Sequence, residues 1–508
     1  MKLRNLASCF LFTLSALRAD VALAPLFQDH AVLQQGKPVP VWGRADAGEK
    51  VTVTFAGQTA HATADADGRW ILYLDTLPAN ATPAELVATG RNTVIVRDVL
   101  VGEVWLCSGQ SNMEWPVSRA QNAKEEIATA SFPLIRHFKV KRTVADAPQE
   151  NVEGAWAVCS PETAAHFTAV GYFFARDLHR KLGVPVGLVN SSWGGTPVES
   201  WMSPAALHSE PAFAVVRERW QKTLDEYPAK KAGFDEKVAA WEQKEAAARV
   251  AGEAALAEFR QQNPRPWGLR GAPGDSWTPM GLYNAMINPL VPYALRGALW
   301  YQGESNAGHA SEYHALFAAM ITWWRAHFGQ GDFPFYWVQL ANYKAGNGDG
   351  TDWAFLREAQ TQTLSLPNTG QALAIDIGNP DDIHPTNKQE VGRRLALIAK
   401  TRIYEVPGDF SGPQFVSATP EGAAMRVRFN YADNGLTAGA KPLQSFVIAG
   451  ADRKFYPATA RIERDTVVVS APEVKEPVAV RYAWSNSPEA NLFNGAGLPA
   501  CPFRSDSW

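Results

Sequence analysis

The sequence predicts an α/β protein with a parallel sheet covered by helices, set between two β-rich segments. Three observations predict it. From about Leu100 to Glu405, strand-like apolar runs alternate with runs of helix length, as in a parallel sheet whose crossovers are helices. On either side of that stretch, short runs of apolar–polar alternation separated by turn residues replace the helices. The chain has 508 residues, 46% hydrophobic and 11% aromatic, enough to bury a large core divided among roughly two to four domains.

The elements follow in order. Lys2 and Arg4 precede the apolar run Leu6 to Leu17, and small residues follow at Ala19, Ala22 and Ala24, the pattern of a signal peptide over residues 1–19 cleaved near Ala19. Cys9 stands before most of the apolar run, which argues against a lipid anchor, and no later segment reaches the ~18 apolar residues of a membrane span. A soluble protein, secreted or periplasmic, is expected. Residues 20–99 form a β-sandwich segment, with Val51, Val53 and Phe55 alternating with Thr52 and Thr54 and a turn at Asp65-Ala-Asp-Gly68 before Trp70 to Leu74.

Residues 100–406 carry the α/β domain. Its strands are read at Val101–Cys107, Val186–Asn190, Gly297–Gln302, Phe335–Leu340 and Ala372–Ile377, and its helices at Tyr172–Lys181, Tyr313–Phe328 and Lys388–Ile403. A charged, Ala-rich insertion over about 205–262 reads as a helical hairpin broken near Pro228 and Gly233, its charges a solvated face. Residues 407–508 return to short strands, among them Met425–Phe429, Ser445–Ile448, Val467–Ser470 and Val478–Trp484, and form a C-terminal β-sandwich.

Composition narrows the function. Net charge is −3 and no Lys/Arg run or basic stripe occurs, so the footprint of a nucleic-acid binder is missing. Once the leader is removed, Cys107, Cys159 and Cys501 remain; three cannot all pair, and Cys107 reads as a small buried hydrophobe. H-E-x-x-H, paired C-x-x-C and a Walker loop are absent, so neither a metal nor a cofactor is expected. Gly346-Asn-Gly-Asp-Gly350 reads as a flexible rim.

The chemistry gathers at four strand ends, where α/β sheets carry their sites. Ser108-Gly-Gln-Ser111-Asn-Met113 follows the first strand; Gly109 permits the sharp turn that presents a serine hydroxyl, but Met113 breaks the G-x-S-x-G elbow. Val189-Asn-Ser-Ser-Trp-Gly-Gly-Thr196 places paired glycines after a strand, and Trp300-Tyr-Gln-Gly-Glu-Ser-Asn306 brings Gln302, Glu304 and Asn306 to one edge. Asp381-Asp-Ile-His-Pro385 sets a carboxylate beside an imidazole suited to general-base work.

In order and content these blocks resemble those of the SGNH hydrolases. The strings Gly109-Gln-Ser-Asn-Met113, Ser192-Trp-Gly-Gly-Thr196, Trp300–Asn306 and Asp-Ile-His-Pro385 are similar to those of the sialate O-acetylesterase family, and the likeness runs from Ala24-Pro-Leu-Phe27 to Trp508. The resemblance implies an SGNH-type three-layer α/β/α domain acting on an acetylated sugar or polysaccharide. It implies Ser111 as nucleophile, His384 as base and an aspartate orienting the ring, Asp381 by its three-residue spacing, with Asp382 the alternative. The oxyanion would be held by the Ser111 N–H, the Gly195 N–H (with Gly194 the alternative) and the Asn306 amide. Gln302, Glu304 and Trp193 are candidate substrate contacts, the first two also candidate braces, and Trp115 and Trp201 candidate pocket walls. Sialic acid, acetylated xylan and xyloglucan are the candidate sugars. Two rivals are a non-catalytic carbohydrate-binding protein and a glycosidase using Glu304 and Asp381. Oligomeric state is unread.

Overall fold

The computed structural model describes residues 20–266, 268–272, 274–345 and 350–508. The expected leader and most of the Gly346–Gly350 run lie outside the described residues. The centre of the molecule is a mixed sheet whose middle strands are β1 (Thr93–Gly109), β2 (Phe132–Val140), β3 (Gly154–Cys159), β4 (Val186–Ser192), β5 (Gly297–Tyr301), β6 (Phe335–Val338) and β7 (Thr369–Ala372). Their spatial order is β3-β2-β4-β1-β5-β6-β7, all parallel except β3, which runs against β2.

The main helices of this region are α1 (Ala169–Leu182), α2 (Ala214–Val250), α3 (Ala310–Phe328), α4 (Asp352–Gln362) and α5 (Lys388–Arg402). Side chains alternate across a strand, so β1 sends Trp105 and Cys107 into one core with Phe174 of α1 and Leu395 of α5, and Val104 and Leu106 into another with Phe317 and Trp324 of α3. Burial on both sides explains why these strands read as continuous apolar runs. Helix α1 shows how local chemistry sets the bounds: the Thr168 hydroxyl caps its start by accepting from the Gly171 N–H, and Gly183 ends it in the left-handed region at φ +71°.

The N-terminal β segment is not a separate unit. The first half of β1 pairs antiparallel with Asn80–Thr89, Val32–Gln34 lies parallel to Leu100–Gly102, and the same strand then continues into the helix-covered sheet. The boundary read at residues 99 and 100 therefore falls inside one strand, and the N-terminal residues share a core with α3. The C-terminal segment differs. It forms two four-stranded antiparallel sheets, and Val427, Val467 and Val469 of one meet Ile448, Val480 and Phe503 of the other in a core of their own.

Two of these element readings need correction. The last sheet strand ends at Ala372 instead of starting there, because Arg394, and not a neighbouring strand, bonds the Leu373 carbonyl and the Asp376 carboxylate. The insertion does not break at Pro228 or Gly233. Helix α2 runs through both, its only buried residue being Val216, and the chain turns at Gly252, φ +112°, into a helix Glu253–Gln262. In so exposed a helix water can take the carbonyl that proline leaves unbonded. Helix α4 and strands β2 and β3 were not read at all. Cys107, Cys159 and Cys501 are all free and buried, so no bridge forms among them. Among the described residues no helix is long and apolar enough to cross a membrane.

Candidate active site

Strand β1 delivers Ser111 to the carboxyl edge of the sheet. Gly109 takes φ +128°, and a Cβ there would lie 2.3 Å from the Tyr301 carbonyl oxygen on neighbouring β5, so only glycine lets the two chains approach this closely. Ser111 then opens the short helix Ser111–Glu114, whose Met113 and Glu114 N–H groups both donate to the Gln110 carbonyl.

Across the edge, the loop after β7 brings in His384, whose Nε2 stands 2.8 Å from Ser111 Oγ. The imidazole stacks on Trp115 at 4.7 Å between centroids and 18° between planes, which fixes the ring's plane. Arg119 lies over the same indole at 3.8 Å. Burial, then the charge of Lys388, holds the His384 pKa below its ordinary 6.5, against the opposing pull of Asp382.

The carboxylate beside the ring is Asp382. Its Oδ1 lies 3.5 Å from His384 Nδ1 and accepts the His384 backbone N–H at 2.9 Å. Asp381, favoured by spacing, turns away to Lys344, 3.1 Å off, with 80% of its side chain exposed. The reason is local: the Asp382 N–H bonds the Asn379 carbonyl and the Asp381 N–H bonds Asn379 Oδ1, a tight turn that leaves Asp381 at its outer corner.

The paired glycines split. Gly194 lies against the nucleophile, since a Cβ on it would be 3.1 Å from Ser111 Cβ, but its N–H already donates to Glu114 Oε2 at 2.9 Å. Gly195 sits at φ +71°, its carbonyl accepts the Trp277 indole N–H, and a Cβ on it would meet Arg270 at 3.4 Å. Asn306 is buried; its Oδ1 accepts from Val198 N–H and Gln302, and its amide donates to Glu199 at 2.8 Å. An amide nitrogen carries a second donor.

Gln302 and Glu304 are both held by contacts within the protein. Gln302 is 0% exposed and spends its amide on Thr196 O, Asn306 and the Tyr313 hydroxyl. Glu304 Oε1 accepts from Asn112 at 2.7 Å, while its Oε2 is enclosed without a partner and burial raises its pKa. Trp201 belongs to the core, its indole N–H on Thr196. Trp193 stays half-buried, with Arg142 5.8 Å from its ring.

Some participants went unread. Glu114 pins Gly194, Glu199 holds Asn306, and Lys388 bonds Asn112 inside the protein. Each belongs to a charged type that is usually solvated, so single-sequence reasoning leaves it on the surface.

The profile of the carbohydrate esterase family of sialic acid-specific acetylesterases matches residues 101–247 and 269–400. The sialate O-acetylesterases of Rattus norvegicus and Mus musculus are each 31% identical, over 94% of this chain and 92% of theirs. A carbohydrate acetylesterase from Xanthomonas citri has a similar crystal structure, at TM-score 0.81 and 40% identity over 96% of this chain and 100% of that one. The class is therefore that of the esterases, within the hydrolases. More particularly, the chain belongs to the sialic acid-specific acetylesterase family of carbohydrate esterases.

Proposed function

We propose that the protein is a carbohydrate O-acetylesterase working by acyl transfer through Ser111, His384 and Asp382, on an SGNH-type three-layer domain. The observation that carries this reading is the 2.8 Å approach of His384 Nε2 to Ser111 Oγ at a strand end. His384 accepts the serine proton as Oγ attacks the acetyl carbonyl, then protonates the departing sugar oxygen. Water, deprotonated by the same imidazole, cleaves the acetyl-serine to acetate. Asp382 orients the ring and offsets the imidazolium charge. The oxyanion falls to the Ser111 N–H, the second Asn306 amide hydrogen and Gly195, since the Gly194 N–H is engaged by Glu114.

A cavity of about 360 Å³ between helix α2 and the site, walled by Trp220 and Trp277 and reaching Ser305 and Glu199, suits a sugar ring. Family membership makes O-acetylated sialic acid the first substrate to test. The second reading, a neutral acetylated plant polysaccharide, is favoured by one observation: the cavity's arginines already have carboxylate partners, Arg219 in Glu312 and Arg270 in Asp275. Acetate release from O-acetylated sialic acid, acetylated xylan and acetylated xyloglucan decides between them. Preference for the sialate is expected, and a clear preference for either polysaccharide selects the second reading. Export to the periplasm or medium is likewise proposed from the leader pattern. Amino-terminal sequencing of the exported protein should begin near Asp20, and an intact Met1 would refute cleavage.

A further inference from the structure

Helix α5 opens with a lysine that never reaches solvent. Lys388 is 0% exposed, and a buried ammonium is costly unless it is bonded and paired. Its Nζ donates to Asn112 Oδ1, and it lies 5.1 Å over the ring of Tyr301 and 5.9 Å over that of Trp115, the indole on which His384 stacks. Asn112 in turn donates to Glu304 Oε1 at 2.7 Å and to the Ile383 carbonyl at 3.0 Å. One amide thus joins the turn that presents Ser111, the segment after β5, the loop that carries His384 and helix α5. Glu304 and Asp382 are the charged groups that act on the ammonium, while Lys388, Asp382 and Arg119 act on His384.

We propose that Lys388 is a positioning residue for ester hydrolysis, clamping Asn112 between the Ser111 turn and the His384 loop and using its charge to keep His384 unprotonated. This rests on the Ser111–His384 reading. A general base works only while neutral, and a nearby positive charge disfavours the imidazolium. Burial lowers the Lys388 pKa to about 7, while His384 titrates below its ordinary 6.5, so the lysine is charged across the interval in which His384 takes up its proton. Without that charge the His384 pKa rises, and the acid limb of kcat/KM moves to higher pH.

The test compares pH profiles of the wild type, Lys388→Met, Lys388→Gln and Lys388→Arg, each checked for folding by circular dichroism. In the Met and Gln proteins the acid limb should move up by about half a unit to one unit. At pH 8, beyond that limb, kcat should fall further in Met than in Gln, because only glutamine can still donate to Asn112. Arginine, which keeps the charge, should hold the limb near its wild-type place. Because either neutral variant can fail to fold, the His384 titration is also followed by NMR in Ser111→Ala, alone and combined with Lys388→Met or Lys388→Gln. A limb and a His384 titration that stay in place in any folded neutral variant overturn the proposal. Full activity in Ser111→Ala would instead sink the acyl-transfer reading, and the NMR titration would still report on Lys388.

Discussion

Ser111→Ala lowers kcat for acetate release by about 10⁴- to 10⁶-fold and leaves the protein folded, the expected consequence of removing the hydroxyl in contact with the base. The fold should survive because Ser111 is half-buried and its hydroxyl, among the described residues, bonds His384 alone. The chain's turn is set elsewhere, by Gly109 and the Tyr301 carbonyl. Acetate release is measured directly, with circular dichroism on the same sample. Near-wild-type turnover in the folded variant would exclude Ser111 as nucleophile. In the active protein, the acid limb of kcat/KM should lie below pH 6.5, because burial and Lys388 both disfavour the imidazolium.

The second large effect separates two adjacent aspartates. Asp382→Ala should cost about 10²- to 10⁴-fold in kcat, because the ring loses both its orienting carboxylate and the charge that balances imidazolium. The bond from Asp382 to the His384 N–H also goes, so KM and folding are followed alongside. Asp381→Asn should change kcat by less than about twofold, since that carboxylate is exposed and pairs with exposed Lys344. The contrast also bears on a glycosidase, which would need Asp381 as one of two carboxylates flanking the substrate. Parallel losses in the two variants, or a larger loss at Asp381, would return the acid's role to the residue chosen by spacing.

That choice shows where the sequence stops being legible. Ser111, His384, Asn306 and the glycine pair all follow or face strand ends, and strand ends are visible as the close of an apolar run. The order of the four blocks was therefore readable, along with the sheet that collects them. Which of two neighbouring aspartates faces the ring depends on a turn closed by the Asn379 carbonyl and side chain, and no periodicity records it. Gln302 and Glu304 were read as polar groups at an edge, which is right about their position. Their partners come from α3 and the Ser111 turn, more than a strand away in the chain, so the sequence offers both substrate contact and brace without naming those partners.

Charged residues mark the other limit. Lys388, four positions after His384 on an amphipathic helix, looks like any solvated helix-start lysine, and its burial follows from α5 packing across α1 and under the loop before it. Helix α4 escaped for a related reason. Its Arg357 and Gln360 are inward and spent on backbone carbonyls, so polar residues occupy positions where a core helix was expected to show apolar ones.

Strand β1 has one more consequence, for descent. The stretch that leads to Ser111 begins inside the N-terminal β segment, so a crossover between genes at residues 99 and 100 would divide the strand that carries the nucleophile to its edge. The amino-terminal half and the hydrolase half are expected to have been inherited as a single piece. The C-terminal sandwich, with a core of its own, is the part that recombination could exchange.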